Sequence, residues 1–206
     1  MTLYTCVVYY RADGKLHQVS YCVMSDNRQH GSVNVQVFNG KIIKHLREKI
    51  GIIVDDVKMC SDGSKEHFKN TETMVYLSHH VFLHDCTADW NYSESYHGKG
   101  PHDGIGGAIK NGLRLRILRR SHVISNAEEA YNVAQEFCKE IHVLYVSSAD
   151  LKTEEAKYKK LFEGRKVASG ISQMRYVTVH TSNKIHMYKS YNERKPVNIK
   201  KPLTEM

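Results

Sequence analysis

Three acidic side chains have the type and surroundings for metal-assisted phosphodiester chemistry: Asp62 in Ser61-Asp62-Gly63, Glu94 in Ser93-Glu94-Ser95 and Asp103 in His102-Asp103-Gly104. Such chemistry needs hard oxygen ligands converging on ions about 3.5 to 4 Å apart, so that attacking and leaving oxygens are both stabilised. Asp62 follows a strand-like run and Asp103 opens a helix-like one, and strand tips and helix starts can aim carboxylates at one point. Glu94, on the segment between, is the reserve ligand. Each acid also has a plainer reading. An Asp-Gly pair suits a turn, because aspartate bonds its own backbone and glycine permits positive φ. A carboxylate in a first helical turn caps free N–H groups and opposes the dipole. Spacing alone leaves both readings open.

Around Asp103 runs an unusual glycine-rich segment, from Gly98 to Gly107, that could let backbone amides approach an anion at a helix N-terminus. It is neither a GxGxxG nor a Walker A loop. Lys99, Lys110, Arg114, Arg116, Arg119 and Arg120 lie in and after it with no acidic neighbour but Asp103, which predicts a concentrated positive helix face. Nucleic-acid phosphates and plain solvent are the two readings of that face. A third group, His79, His80, His84 and Cys86, has zinc-ligand types, but no CxxC or HxxxH pair elsewhere completes a tetrahedral set.

The elements that must position these residues follow from periodicity. Leu3 to Tyr10 is rich in β-branched and aromatic residues, and Ala12-Asp13-Gly14-Lys15 turns it into a second arm, Leu16 to Met24. From Asn34 to Ile50, Val35, Phe38, Ile42, Ile43, Leu46 and Ile50 recur at helical spacing, and Gly51 stops the run. A strand from Ile52 to Cys60, a helix from Thr71 to His84 and a strand from Thr87 to Tyr92 follow. The glycine-rich segment then opens a helix with Ile105, Ile109, Leu113 and Ile117 on one face. Ser125 and Glu128 are spaced as a capping box ahead of a helix from Asn126 to Ile141. A strand from His142 to Val146, a charged helix from Asp150 to Phe162 and a hairpin with arms Arg175 to His180 and Lys184 to Tyr188 complete the pattern. The expected organisation is a core over residues 1–121, an α+β extension over 122–191 packed on it, and a basic flexible tail over 192–206.

Hydrophobic residues make up 41% and charged residues 25% of the 206, which excludes wholesale disorder. No apolar run approaches the roughly 18 to 20 residues of a membrane span, and the start lacks a signal-peptide layout. An intracellular location, nuclear or cytoplasmic, is the expectation. A formal charge of +8 and a pI near 9.1 favour a polyanionic partner, with DNA or RNA as candidates. Five widely spaced cysteines, Cys6, Cys22, Cys60, Cys86 and Cys138, are expected to be buried free thiols.

The chain resembles transposase-derived proteins found in insects, cnidarians and fishes. The resemblance is carried by Val7-Val8-Tyr9-Tyr10, Val23-Met24-Ser25-Asp26, Ser61-Asp62-Gly63 with Phe68-Lys69-Asn70, and Trp90-Asn91-Tyr92-Ser93-Glu94-Ser95. Its most specific blocks are His97-Gly98-Lys99-Gly100-Pro101 and Asp103-Gly104-Ile105-Gly106-Gly107, and the segments Phe137-Cys138 and Tyr145 to Asp150 extend it. It implies an α/β, RNase H-like fold, a mixed sheet flanked by helices, with an acidic triad that holds Mg²⁺ or Mn²⁺ to cut and join DNA. Asp62 and Asp103 would be triad acids and metal ligands, Glu94 a further candidate, and His97 and Lys99 would contact the scissile phosphate. The family pattern places another aspartate on a central first strand upstream of Val7, which this chain is expected to lack. Asp26, on an outer strand about 9 to 10 Å from the centre, would substitute poorly. A missing central strand predicts self-association through an unpaired sheet edge. Two functions follow: a metal-dependent nuclease or strand-transfer domain, or a domesticated, catalytically inactive nucleic-acid-binding or protein-interaction module.

Overall fold

The computed structural model describes residues 1–27, 31–93, 100–163, 170–181 and 184–190. It is an α/β structure whose residues group into two compact units, each built from two separate stretches of chain: Met1–His30 with Lys99–Thr153, and Gly31–Gly98 with Glu154–Met206.

The first unit begins with the predicted hairpin, β1 (Thr2–Ala12) antiparallel to β2 (Lys15–Ser25). Asp13 and Gly14 both take positive φ, 50° and 73°, the two-residue turn whose twist matches that of the strands it joins. β5 (Ile141–Tyr145) pairs parallel to β2, giving the sheet order β1-β2-β5. Two helices cover the sheet: α4 (Pro101–Leu118) against β1 and β2, and α5 (Ala127–Phe137) against β2 and β5. Their apolar stripes close a core of Cys22, Met24, Ile105, Ile109, Leu113, Ala130, Val133, Ala134 and Val143. Ile117, expected on that stripe, is 48% exposed, because the stripe turns away from the sheet after Leu113.

In the second unit α1 (Ser32–His45) runs into a π-helical turn, Leu46–Ile50, and ends at Gly51 with φ of 79°, the left-handed stop its sequence announces. β3 (Asp56–Ser61) lies parallel to β4 (Thr87–Tyr92). β6 (Tyr176–Thr181) pairs antiparallel to β4, and β7 (Lys184–Tyr188) antiparallel to β6, giving β3-β4-β6-β7. α2 (Thr71–Ser78) and the short α3 (His80–His84) pack on this sheet, with α1 behind α2. Phe38, Met74, Tyr76, Leu77, Trp90 and Met187 are its large buried side chains. α6 (Ser148–Phe162) has its first residues in one unit and the rest in the other.

The strands among the described residues therefore form two sheets where one mixed sheet was expected. The segment after residue 121, expected as an extension, supplies β5 to the first sheet and β6 and β7 to the second. Residue 121 itself lies within the first unit, and the tail over 192–206 lies outside the described residues.

Candidate functional site

Asp62 immediately follows β3, at the carboxyl end of the parallel β3–β4 pair, where open α/β sheets commonly bind ligands. Its loop is tightly organised. Asp62 Oδ1 accepts the Ser64 N–H at 3.2 Å, so the turn role weighed from the sequence is realised. The amides of Phe68 and Lys69 both donate to the Ser64 carbonyl, at 3.0 and 2.9 Å. Asn70 then caps α2, its Oδ1 accepting from Thr73 N–H at 2.9 Å, while its Nδ2 donates to the Lys65 carbonyl at 2.9 Å. The loop is stapled to β4: Trp90 Nε1 donates to Ser61 Oγ at 2.9 Å, Tyr92 Oη donates to the Phe68 carbonyl at 3.2 Å, and Ser93 N–H donates to the Ser61 carbonyl at 2.9 Å.

This arrangement buries a residue that the sequence reading quoted only as part of a motif. Lys69 is 8% exposed, with Nζ 5.5 Å from the centre of the Tyr92 ring. Burial lowers its pKa, and the neighbouring cations Arg175 and Lys65 lower it further. Its place directly before the helix cap Asn70 is the one signal in the sequence, and that fixes its address without revealing its burial.

Asp103 lies in the other unit, so it and Asp62 are each placed by a separate part of the fold. It stands in the first turn of α4 with its side chain 63% exposed. Oδ2 accepts the Gly100 N–H at 3.1 Å, the Asp103 N–H donates to the Gly100 carbonyl at 3.0 Å, and Oδ1 lies 3.7 Å from His102 Nε2. The carboxylate works as a helix cap.

Along the same helix Lys110 and Arg114 are exposed, as are Arg119 and Arg120 in the turn just past its end. Arg116 is not a free member of that face: its guanidinium stacks on Phe137 at 4.1 Å and donates to the Gly112 carbonyl at 3.3 Å. Glu94, His97 and Lys99 lie outside the described residues.

Asp26 is bonded within the fold. Its Oδ1 accepts the Ala127 N–H at the start of α5 at 2.6 Å, and its Oδ2 accepts the Tyr145 hydroxyl at 2.8 Å. These two bonds hold its carboxyl below the usual range.

The histidine–cysteine group is a packed polar cluster. His80 Nε2 lies 3.4 Å from Cys86 Sγ, His84 Nε2 bonds the Tyr76 hydroxyl, and the two imidazoles are 4.8 Å apart. His79 bonds back to the Val75 carbonyl at 2.9 Å. Among the described residues no three His, Cys, Asp or Glu side chains come together as a metal site. Asp62 and Asp103 each accept one backbone amide on one oxygen, and Glu94, the further candidate ligand for the Mg²⁺ or Mn²⁺ that the resemblance implies, lies outside the described residues. All five cysteines are free; Cys22 and Cys86 are buried as expected, whereas Cys6 and Cys138 are half-buried and Cys60, on edge strand β3, is exposed.

No helix among the described residues is long and apolar enough to cross a membrane. Comparison with curated proteins gives no match, and comparison with solved structures gives none either. Residues 1–191 match the family described as Domain of unknown function (DUF8701), and the chain belongs to that family.

Proposed function

We propose that this chain is a nucleic-acid-binding domain of transposase ancestry that has kept the fold and its basic helix without a working metal site. The observation that carries the reading is α4 and the turn that ends it: Lys110 and Arg114 on the helix and Arg119 and Arg120 just past its end are all exposed, and the helix's single acid, Asp103, is spent on its own cap. Lysine and arginine that neutralise phosphates release condensed counterions, so such a face binds nucleic acid without needing base contacts.

Support for the RNase H-like ancestry comes from strand directions. That fold sets an antiparallel hairpin on one side of a central strand and a parallel pair on the other. The chain has the β1–β2 hairpin in one sheet and the β3–β4 parallel pair in the other, and β1 and β3 are each an edge strand of their own sheet. An edge strand carries unpaired backbone groups that can template pairing with another chain, which supports self-association.

Asp62 favours a second reading, a metal-dependent nuclease, because a carboxylate at the tip of a parallel strand is where such a ligand belongs. One experiment separates the two. End-labelled single- and double-stranded DNA and RNA are incubated with the protein in EDTA, Mg²⁺ or Mn²⁺, beside Asp62→Ala and Asp103→Ala. The binding reading expects retention in EDTA, no cleavage in either metal, and affinity unchanged by Asp62→Ala. Metal-dependent cleavage that both substitutions abolish would overturn it in favour of the nuclease.

A further inference from the structure

Lys69 is a buried cation with no ion-pair partner among the described residues. The charges that act on its ammonium are those of Arg175 and Lys65. All three cations sit at the carboxyl end of the β3–β4 pair. Lys65 and Lys69 are on the loop that follows β3, and the Arg175 carbonyl accepts the Tyr92 N–H at the end of β4, at 2.9 Å. Taking one ammonium out of water toward two like charges is costly, and contact with the Tyr92 face offsets only part of that cost. Gly63 lies beside it. A Cβ there would come within 3.3 Å of the Ser93 carbonyl oxygen and 3.9 Å of Lys69 Nζ.

We propose that Lys69, with Lys65 and Arg175 beside it, binds a phosphate group at the carboxyl end of the β3–β4 pair. Three positive charges suit a phosphate better than a carboxylate. Each ammonium offers a compact point charge to a phosphate oxygen. The phosphate is either a free monoester or inorganic ion, or the diester of a nucleic-acid backbone. Only the second source rests on the nucleic-acid reading above. The site lies on the loop that carries Asp62 and is separate in sequence and in unit from the α4 face.

The test uses the full chain in EDTA, with sodium chloride holding ionic strength constant. Inorganic phosphate is titrated while the melting temperature and the emission of the single tryptophan, Trp90, are followed; Trp90 stacks on Tyr92 at 5.7 Å. Phosphate is expected to raise the melting temperature and shift the emission of the wild type. Lys69→Met is expected to abolish both responses while melting no lower in chloride, because a buried like-charged group has been removed. Lys65→Gln, on an exposed residue, is expected to weaken the response and serves as the second variant should Lys69→Met fail to fold.

In a second arm a short labelled oligothymidylate is bound. A loss of about tenfold or more in Lys69→Met, the scale of one charge-assisted contact, identifies the diester as the source. Unchanged oligonucleotide affinity beside a lost phosphate response identifies the free ion or monoester. The proposal is overturned if the wild type gives no response, if Lys69→Met, or Lys65→Gln in its place, responds like the wild type, or if Lys69→Met melts lower in chloride with its response intact. An intact phosphate response with no nucleic-acid binding by any variant would instead overturn the function proposed above and leave this site standing.

Discussion

At the residue scale the titrating groups that matter most to stability are inside the second unit. His80 is 1% exposed, its Nδ1 has no partner among the described residues, and burial brings its pKa down to about 3, with His84 and Arg47 pushing the same way. His84, packed on His80 and bonded to Tyr76, is brought down to about 4 by burial and Arg47. Cys86, the other partner, has its thiol pushed up by burial against the opposing pull of Arg47. An unfolded chain protonates both imidazoles near the ordinary value of 6.5, whereas the folded chain does not. Stability is therefore full above pH 6.5 and is lost as pH falls, down to about 4 for His84 and about 3 for His80. Each group contributes a slope of roughly 1.4 kcal/mol per pH unit inside its window. Urea midpoints at pH 7 and pH 5 should differ by an amount that His80→Asn with His84→Asn removes. Equal midpoints for the wild type would mean that these rings take protons while folded.

At the element scale, close approach between α4 and α5 is set by one missing side chain. Gly112 lies against the Phe137 ring, and a Cβ added there would collide with three of its carbons. Arg116 stacks on the same ring and fixes it from another side, so the ring has little room to yield. Gly112→Ala should therefore destabilise by about 1 to 3 kcal/mol, despite the better helix propensity of alanine. A thermal melt checks it, and a melting temperature at or above the wild type would show that the ring moves aside. Most elements were legible because their signals are local, as with the Asp13-Gly14 turn and the Gly51 stop. The cap of α5 fell one residue later than the Ser125/Glu128 spacing suggested: Asn126 Oδ1 accepts the Glu129 N–H at 2.8 Å, and Glu129 reaches back to the Ser125 N–H at 2.6 Å. The predicted helix from Thr71 to His84 breaks at His79 even though its apolar spacing continues. There the Val75 carbonyl takes Ser78 Oγ at 2.6 Å and His79 Nδ1 at 2.9 Å, and the His79 N–H turns to Tyr76 instead. Such side-chain competition for a backbone acceptor has no periodic signature. The candidate site divides in the same way. The addresses of Asp62 and Asp103 were readable from strand and helix ends. The amides that occupy them, and the burial of Lys69 under Tyr92, depend on pairing between distant segments.

At the scale of the whole molecule the question is whether nucleic-acid binding would come from the net charge of +8 or from one helix. The two make different predictions about salt. Net charge acts over a Debye length and is screened smoothly, whereas contacts to phosphates release a fixed number of counterions each. If the four exposed cations of α4 and the turn after it, Lys110, Arg114, Arg119 and Arg120, each neutralise one phosphate of a duplex, log affinity should fall with log salt at a slope of roughly −3 to −4. That is about a hundredfold in affinity for a fourfold rise in salt, measurable by fluorescence anisotropy on a labelled duplex. Arg114→Gln, Arg119→Gln and Arg120→Gln together should flatten the slope by about 2 to 3. Lys41→Gln, Lys44→Gln and Lys49→Gln remove the same formal charge from the exposed side of α1 and its π turn, and should leave the slope nearly unchanged. If both triple variants lose slope and affinity alike, the attraction belongs to the charge of the molecule as a whole. If only the α4 variant does, the helix is the interface, and the glycine-rich segment before it is the next place to look for contacts.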